Sequence, residues 1–129
     1  MNEAVLLYNY KGERLKAVRE VLLSLKIPVK TVGKRDFSKP VGELFGLSGI
    51  EPLPSAAPEF TGELMVVKNF SELSLNIFLN ALGRRGFNEM PLMSFLTPSN
   101  SRWSGNRLYK TVSEERELLS QDKKIKLNL

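Results

Sequence analysis

The sequence predicts an α/β domain: two β-α-β units in a four-stranded, mainly parallel sheet with helices on both faces. Two short runs, Val5-Leu6-Leu7-Tyr8 and Leu64-Met65-Val66-Val67, are apolar on consecutive residues. Strands covered on both faces read this way, whereas a strand with one wet face alternates. Each run is followed by apolar residues at helical spacing. The two halves also echo one another at an offset of 60: Leu7-Tyr8-Asn9-Tyr10 falls on Val67-Lys68-Asn69-Phe70, and Leu15, Val18 and Leu22 fall on Leu75, Phe78 and Leu82. A ferredoxin-like α+β sheet with helices on one face is the alternative that also holds two such units. The two differ in where strand ends fall. In the parallel sheet Asn9, Asn69 and Thr97 share one edge, and in the ferredoxin-like sheet Asn9 lies at the other.

The elements follow in order. Residues 1–32 form the first unit: strand Val5–Tyr8, a helix over Glu13–Lys26 carrying Leu15, Val18, Val21, Leu22 and Leu25, and a Pro-led edge strand over Pro28–Val32. Residues 33–61 form a connection in which Val41–Phe45 makes a helical turn or two before Gly46, and Pro52, Pro54 and Pro58 mark irregular chain. Residues 62–96 form the second unit: strand Leu64–Val67, a helix carrying Leu75, Phe78, Leu79 and Leu82 and closed by Gly83 or Gly86, and strand Pro91–Leu96. Residues 97–120 form a turn and a last helix from about Ser104, and 121–129 read as a polar tail. Asn69-Phe70-Ser71-Glu72 has capping-box spacing with Asn69 as the cap. The expected core includes Val5, Leu7, Leu15, Val18, Leu22, Val66, Phe78, Leu82, Phe95 and Trp103.

Composition narrows the chemistry. With 129 residues, 42% of them hydrophobic, one core can form without staples. There are no cysteines and no histidines, which removes disulfides, thiol nucleophiles, thiolate metal sites and any Ser-His-Asp or Cys-His arrangement within the chain. No apolar run is long enough to span a bilayer. The start MNEAVLLYNY lacks a basic leader followed by an apolar stretch, so the expected location is cytoplasmic, with no membrane association.

Charge is uneven. The net value is +5, but residues 11–39 alone carry nine Lys/Arg against Glu13, Glu20 and Asp36. Arg14, Lys16 and Arg19 lie on the first helix and are the candidate basic surface for an anionic partner, nucleic acid included. The structural reading of the same charges, a solvated helix face plus an edge strand protected by lysines, is the favoured one.

Other patterns weigh toward structure. The Asn after each apolar strand sits where an RNA-binding strand would carry one, but Leu, Val and Met occupy the places where base-stacking aromatics are needed. Asn also ends strands and tolerates left-handed dihedrals. Gly42, Gly46 and Gly49 lack the Lys-Ser/Thr of a phosphate loop. Glu114, Glu115 and Glu117 point in different directions around a helix, with no metal or cofactor set beside them.

The stretch Thr97-Pro98-Ser99-Asn100…Trp103-Ser104 is the most distinctive. Pro98 pushes Thr97 to extended dihedrals and ends the strand. With Ser104 as N-cap, Trp103 and Leu108 have the spacing of a hydrophobic staple. A functional reading stands beside this one. Lys68, Asn69, Thr97, Ser99 and Asn100 meet at the carboxyl ends of two strands, a crevice where α/β sheets take ligands and where helix starts favour an anion. Leu64-Met65-Val66-Val67…Asn69-Phe70 and Pro91-Leu92…Leu96-Thr97-Pro98-Ser99-Asn100…Trp103 resemble the uncharacterised bacterial domain-of-unknown-function family 3783, over residues 62–117. The resemblance implies a small bacterial cytoplasmic protein and brings no catalytic residues, cofactor or partner with it. The function expected is a ligand- or partner-binding module without catalysis. Its alternatives are a nucleic-acid-binding domain using the 11–39 surface and an enzyme that works without His or Cys.

Overall fold

A computed structural model of the chain describes residues 2–127, with side-chain surroundings through Ser120. The order is β1 (Ala4–Tyr8), α1 (Gly12–Ser24), β2 (Val29–Val32), a 3₁₀ turn (Lys34–Asp36), α2 (Val41–Leu44), β3 (Leu64–Lys68), α3 (Glu72–Arg84), β4 (Met93–Phe95), a second 3₁₀ turn (Asn100–Arg102) and α4 (Gly105–Leu127). The four strands form one sheet in the order β2-β1-β3-β4, within an α/β fold. β1 pairs parallel with β2 and β3 parallel with β4, while the central β1–β3 pair is antiparallel. Two of the three pairings are therefore parallel, and helices cover both faces.

The consecutive apolar strand residues divide between the two faces as the pleat requires. Val5, Leu7, Met65 and Val67 pack with Val18, Val21, Leu22, Phe78 and Leu82 of α1 and α3. Leu6, Tyr8, Leu64 and Val66 pack with Val41 and Leu44 of α2, Leu108 of α4, and Phe37 and Phe60 from the long connection.

The sequence echo is structural. The ranges of α1 and α3, like those of β1 and β3, correspond at an offset of 60, and so do the left-handed residues Asn9 (φ 65°) and Asn69 (φ 61°). The register pairs Leu6 directly with Val66, so a pseudo-two-fold axis passes through that pair. Even the asparagine side chains correspond. Asn9 Nδ2 donates to the Phe60 and Gly62 carbonyls ahead of β3, and Asn69 Nδ2 to the Asn2 carbonyl ahead of β1. The units part company after Ile27 and Phe87, both of which bond back to a helix carbonyl (Leu22 and Leu82): β2 begins at Val29, β4 only at Met93.

Several expectations are corrected. Asn9 does not share an edge with Asn69 and Thr97. The connection enters β3 beside the point where β1 ends, which makes the central pair antiparallel and sends Asn9 to the opposite edge. Ser71, not Asn69, caps α3, its side chain accepting the Ser74 N–H, because Asn69 in the left-handed region is spent on turning the chain. Phe95 is 48% exposed. It lies beside Val67 on the α1/α3 face, but those helices cover the two central strands and leave the outer rim of β4 open. Leu15 and Trp103 are half-buried at the margins of the two clusters, and the other seven expected core residues are buried. α4 runs on to Leu127, since nothing after Gly105 is Gly or Pro and Glu, Leu, Gln and Lys favour the helix. The last two residues of the expected polar tail lie outside the described residues.

Candidate functional site

Parallel β3 and β4 bring the expected crevice residues to one edge of the sheet, but the polar side-chain atoms of Thr97 and Asn100 are occupied. Asn100 Oδ1 accepts the Thr97 N–H (2.8 Å), and Thr97 Oγ1 accepts the Asn100 N–H (3.1 Å). Asn100 Nδ2 donates to the Phe95 carbonyl (2.9 Å), and Ser101 Oγ donates to the Pro98 carbonyl. This reciprocal pair closes the turn as a capping box closes a helix start. Thr97 and Ser99 are exposed, and Asn100 is buried. Lys68 does not reach this turn. It emerges on the opposite face from Val67, with Nζ 5.7 Å from the Phe45 ring centre. Trp103 and Ser104 follow the expected design: Ser104 Oγ accepts the Arg107 N–H, Trp103 packs on the cluster that holds Leu108, and the Arg107 guanidinium lies 4.0 Å over the indole.

The basic residues divide as well. Lys16 and Arg19 are exposed on α1. Arg14, at the start of α1, is instead clamped: Nε and Nη2 donate to the two Glu63 oxygens at 2.8 and 2.7 Å, and the guanidinium lies 4.3 Å over the Phe87 ring. The Glu63 hydrogen bonds raise the Arg14 pKa further.

That clamp is one wall of a cleft of about 310 Å³ at the sheet edge opposite Thr97, lined by Arg14, Glu63, Glu89, Met90, Pro91, Leu92, Tyr109, Ser113 and Arg116. Three elements build it. Glu63 immediately precedes β3, residues 89–92 lead into β4, and Tyr109, Ser113 and Arg116 recur at i, i+4 and i+7 along one face of α4. Arg116 is held by donating to the Met90 carbonyl (2.7 Å). Tyr109 stacks on Phe60 with centroids 4.2 Å apart, and its hydroxyl occupies the space that a side chain at position 62 would need, so that position is Gly. Beyond Tyr109 lies a second cavity of about 320 Å³, where buried Asn106 leaves Oδ1 without a partner.

Near the charges of the first cleft, though not among its lining residues, the Tyr10 side chain is buried, and among the described residues its hydroxyl has no hydrogen-bond partner. Burial, and then the Glu63 charge, push its pKa up to about 12, against the opposing pull of Arg14 and Arg116. The phenol therefore stays protonated at neutral pH and available as a donor. Among the described residues no group of three or more acidic side chains could hold a metal ion, and no described helix is long and apolar enough to cross a membrane.

Of the cleft residues, the sequence pointed only to Arg14. Nothing in the sequence singled out Glu63 or Arg116, which come together only when the start of β3 meets one face of α4. One signal was present: Tyr109, Ser113 and Arg116 form a polar stripe beside the apolar pair Leu108 and Val112.

Fold and cleft together define a small mixed-sheet α/β domain with a polar cleft at one sheet edge. Residues 63–119 match the family described as Domain of unknown function (DUF3783), the family whose resemblance the sequence carries. The match takes in β3, α3, β4 and most of α4, and with them every cleft residue except Arg14. No curated protein and no solved structure matches the chain.

Proposed function

We propose that the protein is a ligand-binding module without catalysis, acting in the cytoplasm, and that its binding place is the cleft between residues 89–92 and α4. The observation that carries this reading is the cleft's construction. Its charged walls are fixed in advance, Arg14 by two bonds to Glu63 and Arg116 by the Met90 carbonyl, so little ordering remains to oppose binding. A few placed polar groups beside the apolar wall of Met90, Pro91 and Leu92 match the make-up of small-molecule sites. The Lys68, Asn69, Thr97, Ser99 and Asn100 crevice remains a second candidate place, with less support, because Thr97 and Asn100 already satisfy one another.

Native mass spectrometry after incubation with a small-molecule cell extract tests this. A retained mass that disappears in Ser113→Trp, which fills the cleft from a solvent-reaching helix position, is the expected result. Retention unchanged in Ser113→Trp but lost in Ser99→Trp would move the site to the crevice.

The nucleic-acid reading keeps one supporting observation: Lys16 and Arg19 are exposed on the same helix, with Lys30, Lys34 and Arg35 exposed on and after β2. Binding of a mixed RNA and DNA pool that weakens steeply as salt rises, and that falls in Lys16→Glu/Arg19→Glu, would favour it.

A further inference from the structure

We propose that the cleft takes a zwitterionic ligand carrying an ammonium and a carboxylate on neighbouring atoms, as in a free amino acid or a short peptide. This rests on the cleft being the binding place, and it deepens that reading by naming the ligand chemistry.

The charge pattern is the starting point. Four ionic groups line the cleft, and two of them, Arg14 and Glu63, neutralise each other in a bidentate pair. The remaining two are Arg116 and Glu89. They face the same cavity of about 310 Å³ and do not meet: Arg116 is drawn aside by the Met90 carbonyl, and Glu89 has no hydrogen bond or ion pair among the described residues. With Arg116 held by the Met90 carbonyl, the two side chains present both signs to one cleft and are complementary to a molecule that carries both. A simple anion would gain Arg116 but meet Glu89, and a simple cation the reverse, so each is penalised by the group that the zwitterion satisfies.

A buried phenol lies within the field of the cleft's charges without being part of its lining. Tyr10 is 5% exposed, its hydroxyl has no partner, and the charges that act on it are Glu63, Arg14 and Arg116, three of the groups lining the cleft. Ser113 stands three residues from Arg116 on the same helix face. Met90, Pro91 and Leu92 form an apolar wall for the ligand's side chain.

The test separates the ligand from the site. Amide shifts of the labelled protein are followed on adding four mixtures: the twenty L-amino acids, dipeptides, N-acetylated amino acids lacking the ammonium, and amino-acid amides lacking the carboxylate. The expected result is movement around residues 89–92 and 113–116 with the amino acids or dipeptides, and at least tenfold weaker binding of both charge-deleted sets. Whichever of the first two binds more tightly identifies the source. Glu89→Gln, an exposed position whose change leaves the fold intact, should weaken the zwitterion about tenfold and leave the N-acetylated set unchanged. Equal binding of the charge-deleted sets at the same amides overturns the zwitterion inference and leaves the cleft as a binding site. No movement at the cleft with any mixture, combined with a mass retained from cell extract in Ser113→Trp, overturns both.

Discussion

Single atoms decide several features of the chain. Gly105 begins α4 against the Tyr8 ring, and a Cβ there would lie 2.5 Å from the ring edge. Tyr8 is wholly buried and wedged against Phe37 and Phe60, so it cannot yield. Gly105→Ala should therefore destabilise the fold by about 2–3 kcal/mol, read as a lower urea midpoint, although alanine is the better helix former. The two buried phenols set a pH limit. Burial first, and then Asp36, raise the Tyr8 pKa well beyond its ordinary value, and that of Tyr10 reaches about 12. In the unfolded chain both ionise near 10, so above that pH the unfolded state sheds protons that the folded state keeps. Their contribution is complete below about pH 10 and declines as pH climbs toward 12. Thermal unfolding across that window should show a falling midpoint, and Tyr10→Phe should fall less steeply than the parent.

Between residue and whole, the elements show what was legible from sequence and what was not. Consecutive apolar residues gave away both central strands, and helical spacing gave away α1 and α3, because these signals are local and strong. The 60-residue echo correctly anticipated two equivalent units. It said nothing about how they join, since parallel and antiparallel neighbours bury the same residues. That one choice moved Asn9 across the sheet. Capping was misjudged for a similar reason: Asn69 and Ser71 both suit a helix start, and only the left-handed turn at Asn69 separates their roles. Asn9 holds the connection to the sheet by two amide bonds at 3.0 Å. Asn9→Gly keeps the left-handed backbone but frees the Phe60 and Gly62 carbonyls, and should cost about 1–2 kcal/mol. A similar experiment grades the α4 start. Trp103 is half-buried and covered by Arg107, so Trp103→Ala should lower stability by about 2 kcal/mol in urea unfolding, less than the loss of a fully buried ring.

At the scale of the molecule, a pseudo-two-fold pair of β-α-β units forms a symmetric framework, and the proposed binding cleft lies where the symmetry breaks. The extra residues before β4 supply Glu89, Met90, Pro91 and Leu92, and α4, which has no counterpart in the first unit, supplies Tyr109, Ser113 and Arg116. The central claim is that binding occurs at this asymmetric edge and not at the Thr97 turn, whose polar groups hold the turn itself together. Mapping amide shifts over the labelled protein during titration with a small-molecule cell extract tests it most directly. The account predicts saturable shifts confined to residues 89–92, 109–116 and the neighbourhood of Tyr10. Shifts confined to Lys68, Asn69 and residues 97–100, with the 89–92 amides still, would contradict it.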